Sequence, residues 1–331
     1  MEDIIAKGWQ MRTEEIRTIQ ENVWRVRTNE GLFALKRSLL KEKNLSFICA
    51  AEESLPYHGF DDFARLQKTA KGRLYLKDAA GLYTLHRWIP GEKCNFDQAE
   101  HLFSAAAALS DFHLRAREKA LCLLSSGRAD YFAHAEHLHA RIKELRRFYQ
   151  LSLRDPQNDF TKLYRSYYPA FTAKAVTALN ALLASEYPRL AAEAKAVGSF
   201  IHYDVAARNF IIREEKAFMI DFDYCCCGLP LTDLMRLTKR AMKRGEDFEK
   251  KIDALCDGYQ QTRKLTAAEA GVLCAMLLFP QKFWRLSHRY FCEKRDRNDE
   301  LYAKKMLLAA EELEKEDRWL AKLKDKLEVR P

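Results

Sequence analysis

The chain has 331 residues, 48% of them apolar and 31% charged, with 56 Lys and Arg against 47 Asp and Glu for a formal charge of +9. That is too long for one small domain, suits two lobes sharing a cleft, supplies a large core and excludes a disordered chain. No apolar run approaches the ~20 residues of a membrane helix, and Met1-Glu2-Asp3-Ile4-Ile5 has no secretory apolar region, so a cytoplasmic protein, or one built into an assembly without export, is expected.

In chain order, the first elements read as strands: Glu14 to Ile19, Val23 to Thr28, and Leu32 to Lys36 after an Asn29-Glu30-Gly31 turn. The turn between the first two strands, Gln20-Glu21-Asn22, contains no glycine. Any phosphate cover there is looser than a glycine-rich loop, in which backbone N–H groups approach phosphate without intervening side chains. Lys36 ends an apolar run, Ala34-Leu35-Lys36, where a phosphate-binding lysine would stand; taken alone a surface lysine is the better reading, and together with the downstream Asp204 motif the phosphate role is. A helix from about Asn44 to Leu55 carries Glu52 and Glu53, of which Glu52 is the one expected to orient Lys36, the alternative being that both are solvated. Leu85 to Ile89 reads as an extended hinge stopped by Pro90-Gly91, with backbone able to hydrogen-bond adenine. This divides the chain into an N-terminal nucleotide-binding lobe, 1–88, and a helical C-terminal lobe, 89–331.

Ala99 to Arg117 is an amphipathic helix whose His113 reads as a hydrogen-bonded core histidine. Residues 125–195 hold several helices rich in aromatics. The stretch His202-Tyr203-Asp204-Val205-Ala206-Ala207-Arg208-Asn209 is the most informative of the chain. Its carboxylate and carboxamide have the spacing that phosphoryl transfer from ATP requires. Asp204 can take the proton of a substrate hydroxyl, and Asn209 can hold a metal. Phe210 to Ile220 reads as strand, polar turn, strand, a hairpin that brings Asp221 back beside Asn209. One Asp, one Asn and nucleotide phosphates form a plausible Mg2+ shell. His202, Arg208 and Asp223 are accessory candidates.

The nine cysteines are odd in number, lack a C-x-x-C pair and mostly sit in apolar runs, so reduced core thiols are expected; Cys225-Cys226-Cys227 reads as small apolar filler, with poor geometry for zinc and a redox or cross-linking role left open. Phe279 to Tyr290 mixes aromatics and bases on a helix begun by Pro280. Trp284, Arg285 and His288 share a face there and could line an acceptor pocket, or the aromatics could simply anchor the helix. Glu300 to Arg330 predicts one or two long amphipathic helices. Basic clusters such as Arg141 to Arg147 and Lys239 to Arg244 alternate with apolar residues at helical spacing and read as solvated faces. No nucleic-acid-binding pattern accompanies them, so nucleic acid is not an expected partner, nor is a membrane.

These motifs together resemble the aminoglycoside phosphotransferase and choline kinase superfamily, and within it the spore coat kinase-like proteins of the CotS type. The resemblance spans nearly the whole chain, from Gly8-Trp9 through Ala34-Leu35-Lys36-Arg37, the Asp204 loop, Ile220-Asp221-Phe222-Asp223-Tyr224 and Leu229-Pro230-Leu231-Thr232-Asp233-Leu234 to Phe279-Pro280-Gln281-Lys282-Phe283-Trp284. It implies an α+β, protein-kinase-like two-lobed fold with a small β-rich N-lobe and a large helical C-lobe. It further implies Asp204 as catalytic base, Asn209 and Asp221 as metal ligands, Lys36 as phosphate contact, ATP and Mg2+ as cofactors, and spore coat proteins as partners. Two functions remain open: a kinase of a small hydroxyl-bearing molecule, and a structural spore-coat protein on a kinase fold with weak or no catalysis.

Overall fold

The computed structural model describes residues 1–124, 128–243, 247–293 and 298–329. Helix α1 (Glu2–Trp9) precedes strands β1 (Thr13–Gln20), β2 (Val23–Thr28) and β3 (Gly31–Ser38). After α2 (Glu42–Ser54) come β4 (Leu76–Asp78) and β5 (Gly81–Arg87). The strands form one antiparallel sheet in the order β1-β2-β3-β5-β4. Period-two alternation sorts its faces. Val26, Phe33, Leu35, Tyr83 and Leu85 bury against Ile5 and Trp9 of α1. Ala34 and Lys36 alternate with these residues on β3 and so face the other way, opposite His86 and Thr84 of β5. The same alternation that builds the apolar core thus aims Lys36 away from it. The β1–β2 turn is two residues long, Glu21-Asn22, with Asn22 at φ 63° and its carbonyl accepting from Arg37 N–H at 2.9 Å.

Beyond β5 come β6 (Glu92–Lys93), α3 (Ala99–Arg115), α4 (Lys119–Leu124), α5 (Ala133–Ser152), α6 (Asp159–Ala184) and α7 (Tyr187–Val197). Short strands β7 (Phe200–Ile201), β8 (Phe210–Arg213), β9 (Lys216–Met219) and β10 (Cys226–Cys227) carry the loops of interest. Helices α8 (Pro230–Ala241), α9 (Phe248–Tyr259), α10 (Ala267–Leu277), α11 (Gln281–Cys292) and α12 (Asp299–Lys326) complete the fold. This is the expected α+β, kinase-like architecture. The C-terminal stretch forms a single helix; Arg330, its expected end, and Arg244, the end of one basic cluster, lie outside the described residues. Among the described residues no helix is long and apolar enough to cross a membrane.

The chain separates into two compact units, Met1–Ala129 with Glu193–Arg244 and Ala254–Lys264, and Asp130–Ala192 with Gly245–Asp253 and Leu265–Pro331. In the second unit, α6 and α11 stack their aromatics: Phe171 lies flat on Phe283 at 4.1 Å, and Tyr164 stacks on the same ring at 5.2 Å. In the first unit, Phe112 of α3 packs edge-on against Phe60, Phe200 and Phe222. That aromatic cluster is the floor beneath the candidate site.

Gly91 sets the path from the hinge to that floor. Strand β6 pairs with β8, which lies between β6 and β9. Gly91 has φ +151°, and a Cβ there would sit 2.3 Å from the Ile212 carbonyl oxygen and 2.8 Å from Ile211. Gly91→Ala is therefore expected to destabilise the protein by ~2 kcal/mol or more, through backbone strain and a clash with immobile backbone. Gly271 lies inside α10 with nothing within 4 Å of its hypothetical Cβ. Gly271→Ala is expected to stabilise by ~0.5–1 kcal/mol, as glycine is the poorer helix former. Denaturant unfolding of the two variants checks both signs.

Candidate active site

The loop joining β7 to β8 is fixed from below by one carboxylate. Asp233, near the start of α8, is fully buried. It accepts the backbone N–H of His202 and of Tyr203, each at 2.8 Å, and the ring of His113 from α3 at 3.3 Å. The other ring nitrogen of His113 accepts from the Tyr259 hydroxyl at 2.8 Å. His113 is the hydrogen-bonded core histidine its sequence context indicates. Burial pushes its pKa down, outweighing the pull of Asp233, so the ring is neutral and donates through Nε2. Burial favours the acid form of Asp233, but the His113 hydrogen bond and then the His202 N–H overbalance it and keep its pKa below the ordinary carboxylate value. His202 is buried too, with Nε2 on the Ile220 carbonyl at 3.0 Å and Nδ1 accepting the Asp204 N–H at 3.3 Å. Tyr203 between them is at φ 68°, a rare conformation for a residue with a side chain. It turns successive N–H groups onto one carboxylate.

Asp204 emerges from this loop with both oxygens engaged. Oδ1 accepts from Arg240 of α8 at 2.7 Å; Oδ2 accepts from Arg208 at 2.7 Å and from the Asn209 amide at 2.9 Å. Partial burial raises its pKa, but Arg240, then Arg208 and Asn209, outweigh burial and hold it below the usual carboxylate range. The Asn209 amide also donates to the Asp204 carbonyl at 2.7 Å, fixing the span between them. The Ile220 N–H donates to the Asn209 carbonyl at 3.0 Å, so the β8–β9 hairpin sets Asp221 just past Asn209.

Asp221 itself has φ 67°. Phe222, next to it, is buried among Phe63, Phe112 and His202, which anchors the turn and leaves Asp221 and Asp223 flanking it. Arg128 clamps the same turn, donating to the carbonyls of Asp223 at 3.2 Å and Cys225 at 2.6 Å. Lys36 reaches across from β3 and meets Asp221 at 2.5 Å and Asp223 at 3.4 Å. Burial disfavours its charge, yet Asp223 and then Asp221 overcome this and raise its pKa well above the ordinary value. Asp221 is held low in turn: Lys36 outweighs the effect of burial.

Glu52, expected to orient Lys36, instead accepts from His86 of β5 at 2.8 Å. The carboxylate is buried and its nearest donor is the imidazole, while Lys36 is drawn to the two aspartates; the charge of Glu52 still favours protonated Lys36. The expectation of reduced core thiols is corrected at one pair, which includes a member of the triplet for which cross-linking was left open. Cys122 of α4 and Cys227 of β10 are joined in a disulfide, with Cα atoms 5.8 Å apart, whereas Cys225 and Cys226 are buried thiols.

Trp284, Arg285 and His288 lie on α11 in the second unit. The Trp284 indole N–H donates to Glu144 at 2.6 Å, Arg141 covers its ring at 4.4 Å, and His288 packs beside it at 5.4 Å. Sequence reasoning missed Arg128 and His86, read Arg240 as part of a solvated basic face where the structure pairs it with Asp204, and quoted Asp233 within a motif without giving it a role.

A β3 lysine, an H-x-D loop closed by an asparagine and an aspartate at the end of the next hairpin define the class: this is the fold of the kinase-like phosphotransferases. The model of the family described as "Spore coat putative kinase YutH" matches residues 2–323, and the chain belongs to that family. It is 25% identical to spore coat protein S of Bacillus subtilis (strain 168) over 286 residues, 85% of this chain and 80% of that protein. Its fold is similar to that of an aminoglycoside phosphotransferase from Alicyclobacillus acidocaldarius, with a TM-score of 0.84 and 20% identity over 98% of this chain and 95% of the other. It is also similar to spectinomycin phosphotransferase in complex with ADP and spectinomycin, with a TM-score of 0.58 and 13% identity over 94% of this chain and 92% of the other.

The neutral, buried His113 yields a pH dependence with a definite sign. The folded protein resists protonating this ring, whereas the unfolded chain protonates it near the ordinary value of 6.5. Its contribution is complete above that pH and is lost as pH falls below it, by up to about 1.4 kcal/mol per pH unit until the folded pKa is reached. Denaturant unfolding from pH 7.5 to 5 is expected to show this loss, and His113→Gln to be less stable at pH 7.5 but flatter below 6.5.

Proposed function

We propose that the chain is a Mg2+- and ATP-dependent phosphotransferase acting on a hydroxyl of a small molecule. The observation that carries this reading is the contact between Lys36 and Asp221, 185 residues apart. It supports one site in which β3, the Asp204 loop and the hairpin end take part together. Lys36 holds the α- and β-phosphates. Asp204 orients the acceptor hydroxyl and takes its proton as the hydroxyl oxygen bonds to the γ-phosphorus and the bridging oxygen leaves with ADP. Asp233 acts through the loop, keeping Asp204 in place without touching substrate.

The residues fit a magnesium ion. Among the described residues no group of His, Cys, Asp and Glu forms a metal cage by itself. Asp221 and the Asn209 carboxamide oxygen, whose amide nitrogen is turned to Asp204, form the sparse donor set that magnesium takes when phosphate oxygens and waters complete its shell. When bound, the ion would neutralise triphosphate charge and draw Asp221 away from Lys36.

Membership of a spore coat family supports a working place in or on the spore coat, among coat proteins, after synthesis in the cytoplasm. A structural coat role without catalysis is the second reading, favoured by the glycine-free β1–β2 turn and by the engagement of both Asp204 oxygens.

Asp204→Asn separates the two. For an enzyme, this variant is expected to bind ATP within about twofold of wild type and to lose slow ATP hydrolysis or transfer by roughly 10²–10⁴-fold. Radiolabelled phosphate release checks the loss and calorimetry checks the binding. Equal turnover in variant and wild type would remove Asp204 from the mechanism.

A further inference from the structure

The catalytic carboxylate is surrounded by more positive charge than it can neutralise. Arg208 sits on the turn Ala207–Asn209, with its side chain 66% exposed. Arg240 lies on the last turn of α8 with its side chain 34% exposed. Among the described residues the salt bridges of both end on Asp204. Arg236, four residues before Arg240 and so on the same helix face, lies over the Tyr203 ring at 3.6 Å and adds a third guanidinium to the loop. Arg240 Nη1 and Arg236 Nε are without hydrogen-bond partners among the described residues.

We propose that the acceptor is an anion: a hydroxyl compound carrying a carboxylate or phosphate within a few bonds of the reacting oxygen, recognised by Arg208 and Arg240. This rests on the phosphotransferase reading and names its substrate class. Both oxygens of Asp204 already accept from arginine, one bond on Oδ1 and one on Oδ2, so a hydroxyl that approaches the base does so between two guanidinium groups. An anionic substituent competes for the same guanidinium groups, whose planar forks match carboxylate and phosphate oxygens. As the anion engages Arg208, one acceptor position on Asp204 Oδ2 is freed for the hydroxyl that the same molecule presents, while the Asn209 amide stays on that oxygen. A neutral acceptor leaves the base engaged, and an ammonium-bearing one is repelled by the surplus positive charge. Selection of the acceptor and exposure of the base are one event.

The test uses the full chain saturated with Mg-AMP-PNP, so that the γ-phosphate position is filled, and four probes sharing a three-carbon hydroxyl skeleton. Glycerol 3-phosphate and glycerate are anionic, glycerol is neutral and serinol is cationic. Calorimetry is expected to show the two anions binding at least about tenfold tighter than glycerol or serinol, and Arg208→Gln to weaken the anions about tenfold with AMP-PNP affinity within about twofold. Arg240→Gln is expected to act alike; if it does not fold, the largely exposed Arg208 carries the test. Phosphate and carboxylate probes in parallel distinguish the two anion sources. Glycerol or serinol binding as well as the anions overturns the proposal. So does binding of none of the four, or variants that lose AMP-PNP affinity instead, which would assign the arginines to the nucleotide. AMP-PNP binding, measured first, reports on the phosphotransferase reading independently: its loss in wild type sinks that reading, and its presence without anion preference sinks only this one.

Discussion

The carboxylate of Asp233 has no solvent contact, and the His202 N–H, the Tyr203 N–H and the neutral His113 ring converge on it. Each partner comes from a different place: α8 supplies the acid, α3 the imidazole, and the loop after β7 the backbone donors. The left-handed backbone at Tyr203 costs of order 1–3 kcal/mol and persists because these bonds over-determine it. Breaking the cluster from one side would leave a buried charge without compensation, which typically costs ~3–5 kcal/mol. The position of Asp204, next after the two anchored residues, and the docking of Phe222 beside His202 follow from it. The neighbouring aromatic floor does the complementary work, because Phe222 can be buried only if Asp221 and Asp223 are left on either side of it.

Where partners are close in sequence, the site was legible beforehand. The Asp204-to-Asn209 spacing and the strand–turn–strand pattern of residues 210–220 were readable as a short loop and a hairpin, and the backbone bond from Ile220 to Asn209 is the consequence. The direction in which Lys36 faces was not read from the sequence; it follows from the strand register that buries Phe33 and Leu35 on the other face. What stayed hidden needs long-range geometry. Arg240 meets Asp204 across 36 residues and Glu52 meets His86 across 34, and neither spacing carries a local signature. Glu52 was assigned to Lys36 from its place on the helix that follows β3, but the histidine at the register position opposite Ala34 takes it instead. Helix α1 is only eight residues long, too short for a helical period to stand out before β1. The Cys122–Cys227 bridge spans 105 residues and could not be told from nine scattered thiols.

Formal charge misleads at the level of the whole chain and informs at the level of the site. The surplus of +9 is spread over many helix faces. Locally, the charged groups pair in two sets: Lys36 with Asp221 and Asp223, one carboxylate in excess, and Arg208 and Arg240 with Asp204, one guanidinium in excess. Partly buried charges paired in this way keep their geometry without a ligand and are spared the penalty of standing alone. The consequence is competitive. On the proposed reading, nucleotide phosphates would take Lys36 from the aspartates, a cation would take Asp221 from Lys36, and an acceptor would take a guanidinium from Asp204.

The central claim is that Asp221 is paired with Lys36 in the free protein and becomes the chief protein ligand of the cation that accompanies ATP. Calorimetric titration of ATP with and without magnesium, in wild type and Asp221→Ala, tests it most directly. Wild type should bind ATP at least about tenfold tighter with magnesium, Asp221→Ala should lose most of that enhancement, and Asn209→Ala should lose less because it forfeits a carbonyl dipole and not a full charge. Equal affinity for Mg-ATP in wild type and Asp221→Ala would contradict the account.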